Sequence, residues 1–208
     1  MKRRIAVFVA AICVMASFAK AQNLLINGDF SNPSSDQAPT SWNLWSWPND
    51  GNEWVNHQSD SSSEVPGTWY MAVGGSEWNS CSAGLYQIVS ATAGDTYTLT
   101  VDSGAQAWWS PEGEMRLSFL DSSSDVLTQN VLVTVNYPAD DQGQPWATYS
   151  LTALAPAGTA QAKVELAMNG GGGTVWFDNA DLTAVPEPST LGLVGFSLLA
   201  AALIRRRK

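Results

Sequence analysis

Trp42, Trp45, Trp47 and Trp54 crowd a segment rich in Ser, Pro, Asn and Asp, and Trp108-Trp109 stands just before Ser110-Pro111. Both stretches read as loop or irregular edge. An indole offers a flat, electron-rich surface on which the apolar C–H face of a sugar ring stacks. By analogy with base stacking, each such platform contributes roughly 1–3 kcal/mol. Loops held by a rigid scaffold are a usual place for these contacts, so the six residues are candidate glycan-stacking platforms. Tryptophan also buries a large area in cores. Trp69, Trp78, Trp146 and Trp176 are read as packing residues, two of them lying in strand-like runs.

Other chemistries are less well provided for. Glu112 with Glu114, or Asp140 with Asp141, are the carboxylate pairs that glycoside hydrolysis would call on. Adjacent carboxylates are equally ordinary on an acidic surface. His57 is the only histidine, and the sequence has no nucleophile motif and no zinc-type cluster. Gly170–Gly173 lacks the strand–helix setting of a phosphate-binding loop and reads as a hairpin. Cys13 lies in the N-terminal apolar stretch, which leaves Cys81 as a buried thiol or an intermolecular bridge. The expectation is a protein that is not an enzyme. Between residues 22 and 184 two basic residues, Arg116 and Lys163, face eighteen acidic ones, a net charge of −16. That field excludes nucleic acid as a partner and favours cations.

The elements that must position these residues alternate with period two. Thr96–Asp102 sets Tyr97, Leu99 and Val101 on one face and threonines on the other. Glu114–Phe119 does the same with Met115, Leu117 and Phe119, and Gln161–Met168 with Ala162, Val164, Leu166 and Met168. Further strands are expected at Trp69–Val73, Leu85–Ser90, Val126–Val135, Thr148–Leu154 and Thr174–Phe177, punctuated by turn signals such as Ala93-Gly94-Asp95 and Pro156-Ala157-Gly158. One apolar and one polar face per strand predicts two packed antiparallel sheets, an all-β jelly-roll sandwich. Pairing of its first and last strands would bring Asp29 toward Asp178, a candidate calcium site, since that hard cation takes six to eight oxygens. Capping of turns is the alternative role for both aspartates.

Three segments carry a resemblance. "NLLINGDF" at Asn23–Phe30, "LYQIVSATAGDTYTLTV" at Leu85–Val101 and "VWFDNADLT" at Val175–Thr183 resemble the start, middle and end of galactose-binding-like carbohydrate-binding modules. The resemblance implies a jelly roll over residues 23–183, glycan as ligand and a structural calcium at the matching aspartates. Ser31 departs from the pattern, standing where the family commonly has an acidic residue.

The two ends read as addresses. Residues 1–21 have a basic start, an apolar helix-forming stretch and Ala19-Lys20-Ala21, the three-part pattern of a cleavable secretory signal. Residues 185–208 hold Pro186-Glu187-Pro188, an apolar helix at 191–204 and the basic cluster Arg205, Arg206, Arg207 and Lys208. As a helix the apolar run would be roughly 21 Å long, short of a hydrocarbon core of about 30 Å. The order of these features resembles the PEP-CTERM sorting signal of Gram-negative bacteria. That resemblance implies an exosortase-type processing enzyme as partner, transient anchoring in the inner membrane, and association with exopolysaccharide at the cell surface or in the extracellular matrix. The sandwich, residues 22–184, is then expected to bind polysaccharide without catalysis. A structural or adhesive matrix protein is the alternative, and an envelope glycoside hydrolase a minor one.

Overall fold

The computed structural model describes residues 22–32, 39–47, 53–59, 69–75, 82–106, 111–136, 144–170 and 172–186. The secretory signal, Trp78, Cys81, Trp108, Trp109, Asp140 and Asp141 fall outside these. So does the tail from Glu187 onward, with Pro188, Arg205, Arg206, Arg207 and both expected terminal helices.

Ten strands form the domain: β1 (Asn43–Trp47), β2 (Glu53–Ser59), β3 (Trp69–Gly75), β4 (Ser82–Ser90), β5 (Thr96–Gln106), β6 (Glu112–Leu120), β7 (Val126–Asn136), β8 (Gln144–Leu154), β9 (Gln161–Asn169) and β10 (Gly173–Val185). They make two antiparallel five-stranded sheets, ordered β1-β4-β9-β6-β7 and β2-β3-β10-β5-β8. The described residues contain strands and turns and no helix. The expected all-β sandwich is therefore the observed one.

Alternation builds it. On β5, Tyr97, Leu99 and Val101 are buried between the sheets, as are Met115, Leu117 and Phe119 on β6 and Val164, Leu166 and Met168 on β9. Each fully buried aliphatic or aromatic side chain contributes roughly 1.5–3 kcal/mol. Tyr97 packs edge-on against Phe119 at 5.4 Å, and its hydroxyl accepts a 2.8 Å hydrogen bond from the Thr92 amide. Gly94 and Gly158, in the two predicted turns, adopt φ of +87° and +90°, which only glycine takes without strain.

Two strands were not expected. The tryptophan-rich segment read as loop contains β1 and β2, each at the edge of its sheet. The N-terminal segment closes the sandwich by pairing with the last strand, β10. The Leu24 amide donates to the Leu182 carbonyl and the Ala180 amide to the Gly28 carbonyl, both at 2.8 Å. The Asn23 side chain accepts from the Leu182 amide at 3.0 Å, and Gln87 on β4 brackets Ile26 from the other sheet. A Cβ at Gly28 would lie 2.0 Å from the Ala180 carbonyl oxygen, so the contact requires glycine.

Candidate functional site

The outward face of the β1-β4-β9-β6-β7 sheet can be reconstructed from its register. Residues flanking the buried Leu85, Leu166 and Met115 must point out, because successive side chains alternate. One row runs Trp45, Gly84, Ala167, Glu114, Val133; the next runs Asn43, Tyr86, Glu165, Arg116, Val131. A third holds Ile88, Lys163, Ser118 and Gln129. Small residues at Gly84 and Ala167 make room for an indole. A Cβ at Gly84 would sit 2.9 Å from Trp45 Nε1 and 2.5 Å from the Leu166 carbonyl oxygen. The ring is half-buried across this floor.

Charge is tightly paired on the same face. Arg116 donates to Glu114 through Nε (2.6 Å) and Nη2 (2.5 Å), and through Nη1 to Glu165. Lys163 pairs with the second oxygen of Glu165, while Asn169 donates to the remaining oxygen of Glu114 at 3.0 Å. Burial works against the Arg116 cation, but Glu114 and Glu165 outweigh it and raise its pKa above the ordinary value. The guanidinium carbon lies 6.0 Å from the Trp45 ring centroid and Lys163 Nζ 4.5 Å from that of Tyr86, both within cation–π range. Trp45, Tyr86, Ile88, Arg116, Lys163 and Glu165 line an open depression of about 520 Å³.

The predicted platforms separate by environment. Trp42 is a correction: it is 5% exposed, packs on Phe30 at 5.4 Å and donates from Nε1 to the Asn27 carbonyl at 3.1 Å. It is a core residue, covered when the N-terminal segment folds against it. Trp45 and Trp54 are half-buried on β1 and β2, and Trp47 is 66% exposed at the end of β1. Trp54 lies across Gly74 as Trp45 lies across Gly84. A second depression of about 520 Å³ opens between Trp45 and Trp54 at the β1/β2 edge, where Trp45 Nε1 and Glu53 Oε1 are buried without a hydrogen-bond partner.

Sequence reading missed Tyr86, Arg116, Lys163 and Glu165. A signal was present: the domain's two basic residues fall at outward positions of strands β6 and β9. On the opposite sheet Trp146 and Trp176 stack on each other at 5.8 Å and 23°, with Tyr70 edge-on to both.

Asp178 is fully buried on β10, with Oδ1 accepting from the Asn179 amide at 2.7 Å and Oδ2 unpartnered. Desolvation pushes its pKa up to about 7; the Asn179 amide opposes this, and the charges of Asp102 and Asp29 add to it. Asp181 Oδ1 is also buried and unpartnered. Asp29 is exposed and turns one oxygen toward the Ser31 amide and hydroxyl. Among the described residues no three acidic, His or Cys side chains converge as a metal-binding group. The unpartnered oxygens of Asp178 and Asp181 are the groups here that could serve a hard cation such as calcium. As for the carboxylate pair on β6, burial, then a hydrogen bond to Glu114 and its charge, raise the Glu112 pKa.

Residues 184–208 match the family model of the PEP-CTERM protein-sorting motif. The chain carries a PEP-CTERM sorting signal. That signal indicates export and surface association in Gram-negative bacteria. No curated protein matches the chain by sequence. Solved structures share the fold of the domain ahead of the signal. The Family 16 Carbohydrate Binding Module-2 superposes with a TM-score of 0.53 at 17% identity, covering 77% of this chain and 99% of that one. TmCBM61 in complex with β-1,4-galactotriose gives 0.50 at 16%, covering 80% and 100%. The enzymatically active domain of bacteriophage CBA120 tailspike protein 4 gives 0.59 at 16%, covering 78% of this chain but 21% of that one. The chain likewise spans 26% of the arabinose-bound MgGH51 α-L-arabinofuranosidase. These likenesses establish the jelly-roll sandwich fold.

Proposed function

We propose that this protein is an exported, non-catalytic polysaccharide-binding domain, and that the outward face of the β1-β4-β9-β6-β7 sheet is its binding surface. The observation that carries this is Trp45, laid across Gly84 beside Tyr86 at the rim of an open depression. The two rings present stacking surfaces in adjacent rows, and the carboxylates, guanidinium and amide around them offer donors and acceptors to sugar hydroxyls. The fold shared with carbohydrate-binding modules supports the reading. The sorting signal supports processing by an exosortase-type enzyme after transient anchoring in the inner membrane, and release to the cell surface or extracellular matrix. A structural calcium ion at Asp178, with Asp29 beside it, belongs to the same reading; the buried unpartnered oxygen supports it.

The test is a tryptophan-fluorescence titration of the full-length chain, in mild detergent, against neutral plant and bacterial polysaccharides with and without calcium. A saturable change that Trp45→Ala removes is the expected result. A flat response from folded protein sinks the reading.

One observation favours a structural, self-associating role instead. The edge strand β7, VLTQNVLVTVN, has no charged residue in a domain of net charge −16, and it exposes Val126, Leu127, Val131 and Val133. An uncharged, β-branched edge is a ready template for pairing with another strand. Concentration-dependent sedimentation together with indifference to glycan would select that role.

A further inference from the structure

Resting on the glycan-binding reading, we infer that this site takes uncharged glycan and rejects polymers bearing uronate, sulfate or other anionic groups. Arg116 and Lys163 are the only basic residues between positions 22 and 184, and both stand on this one face. In isolation they would mark an anion-binding site. Both are already engaged: Arg116 with Glu114 and Glu165, and Lys163 with Glu165. Glu114 and Glu165 are each 6% exposed, and all four of their carboxylate oxygens have a partner. An incoming carboxylate meets cations whose charge is already balanced by two buried carboxylates, so it gains little net attraction and competes with Glu114 and Glu165 for the groups that hold them. The two cations and two carboxylates sum to zero within the site, while the surrounding domain is strongly acidic and repels polyanions. A neutral sugar demands none of this. It stacks on Trp45 and Tyr86 and exchanges water for hydroxyl contacts at the rim of the network.

The deciding experiment compares two soluble polymers on one backbone, hydroxyethyl cellulose and carboxymethyl cellulose, by calorimetric and fluorescence titration of the full-length chain at 20 mM and 500 mM NaCl. The expected result is at least tenfold tighter binding of the hydroxyethyl polymer, changing less than twofold with salt. Binding of the carboxymethyl polymer should strengthen with salt as repulsion is screened. Glu165→Gln, which frees Lys163 and one arm of Arg116, should narrow that preference about fivefold. Glu114→Gln provides the same test should the first variant not fold. Tighter binding of the carboxymethyl polymer, weakening with salt, overturns this inference alone. If cellulose-based and all other neutral polymers fail to bind folded protein, the glycan-binding reading falls and this inference with it.

Discussion

The outward faces of the two sheets carry aromatic rings of the same kinds in different company. On the β1-β4-β9-β6-β7 sheet, Trp45 and Tyr86 lie in separate rows, each beside a cation held by carboxylates. On the β2-β3-β10-β5-β8 sheet, Trp146, Trp176 and Tyr70 cover one another; the next row holds Asp102, which accepts from Thr148 and Asn179, and beyond it lie threonines such as Thr98, hydrogen-bonded to Thr152 at 3.0 Å. A ring that packs on another ring has used its face, whereas a ring set on a glycine floor keeps one face for a ligand. The same residue type thus serves packing on one sheet and, in the proposed function, recognition on the other.

Four measurements break or sharpen this contrast. Arg116→Ala strips the shared partner from two buried carboxylates and should destabilise the fold by about 3–5 kcal/mol, read by chemical denaturation. An effect under 1 kcal/mol would show the network to be decoration. Next, Trp45→Ala should weaken neutral-glycan binding by roughly 1–3 kcal/mol, a factor of about 5–150, with thermal stability little changed. Trp146→Ala should do the reverse, costing about 2 kcal/mol of stability, below the full-core value, while leaving affinity intact. Exchange of those two outcomes would move the site to the other sheet.

The third concerns Asp178, on the central strand of the second sheet. Its folded-state pKa of about 7 lies above the ordinary aspartate value of 3.8, so the folded state binds the proton more tightly than the unfolded chain. Its contribution is therefore favourable to folding at low pH and is lost as pH rises from about 4 through about 7. Relative to Asp178→Asn, the wild type should lose melting temperature across that window in chelator. Millimolar calcium should restore it at pH 7.5. Equal curves with and without calcium would remove the ion from the proposal. The smallest effect is expected at Thr98→Val on the second sheet's exposed face, within about 0.5 kcal/mol in stability and without change in affinity.

Much of the fold is legible in the sequence, and the failures have a common cause. Tyr97, Leu99 and Val101 announce β5 because alternation is a local property of seven consecutive residues. The edge strands β1 and β2 went unread because their Asn, Ser and Trp content imitates loop; each needs a partner strand on one side only. Trp42 was misassigned for a different reason. Its burial comes from Phe30 and from Asn27, fifteen residues earlier, and no local pattern signals that contact. Trp108 and Trp109, expected from the sequence as glycan platforms, lie outside the described residues.

By itself the sequence determined the period-two strands, the acidic field, the sorting signal at 184–208 and the lack of a nucleophile motif, all of which follow from composition and near neighbours. Tertiary structure alone decided which rings face outward, because facing depends on sheet order and register. It also decided that Arg116 meets Glu165 across 49 residues, and that Asp178 loses its water beneath the closed end of the sandwich. Those pairings are made by strands β6, β9 and β10 lying beside partners distant in the chain, and a charge takes its chemistry from whatever that long-range pairing puts next to it.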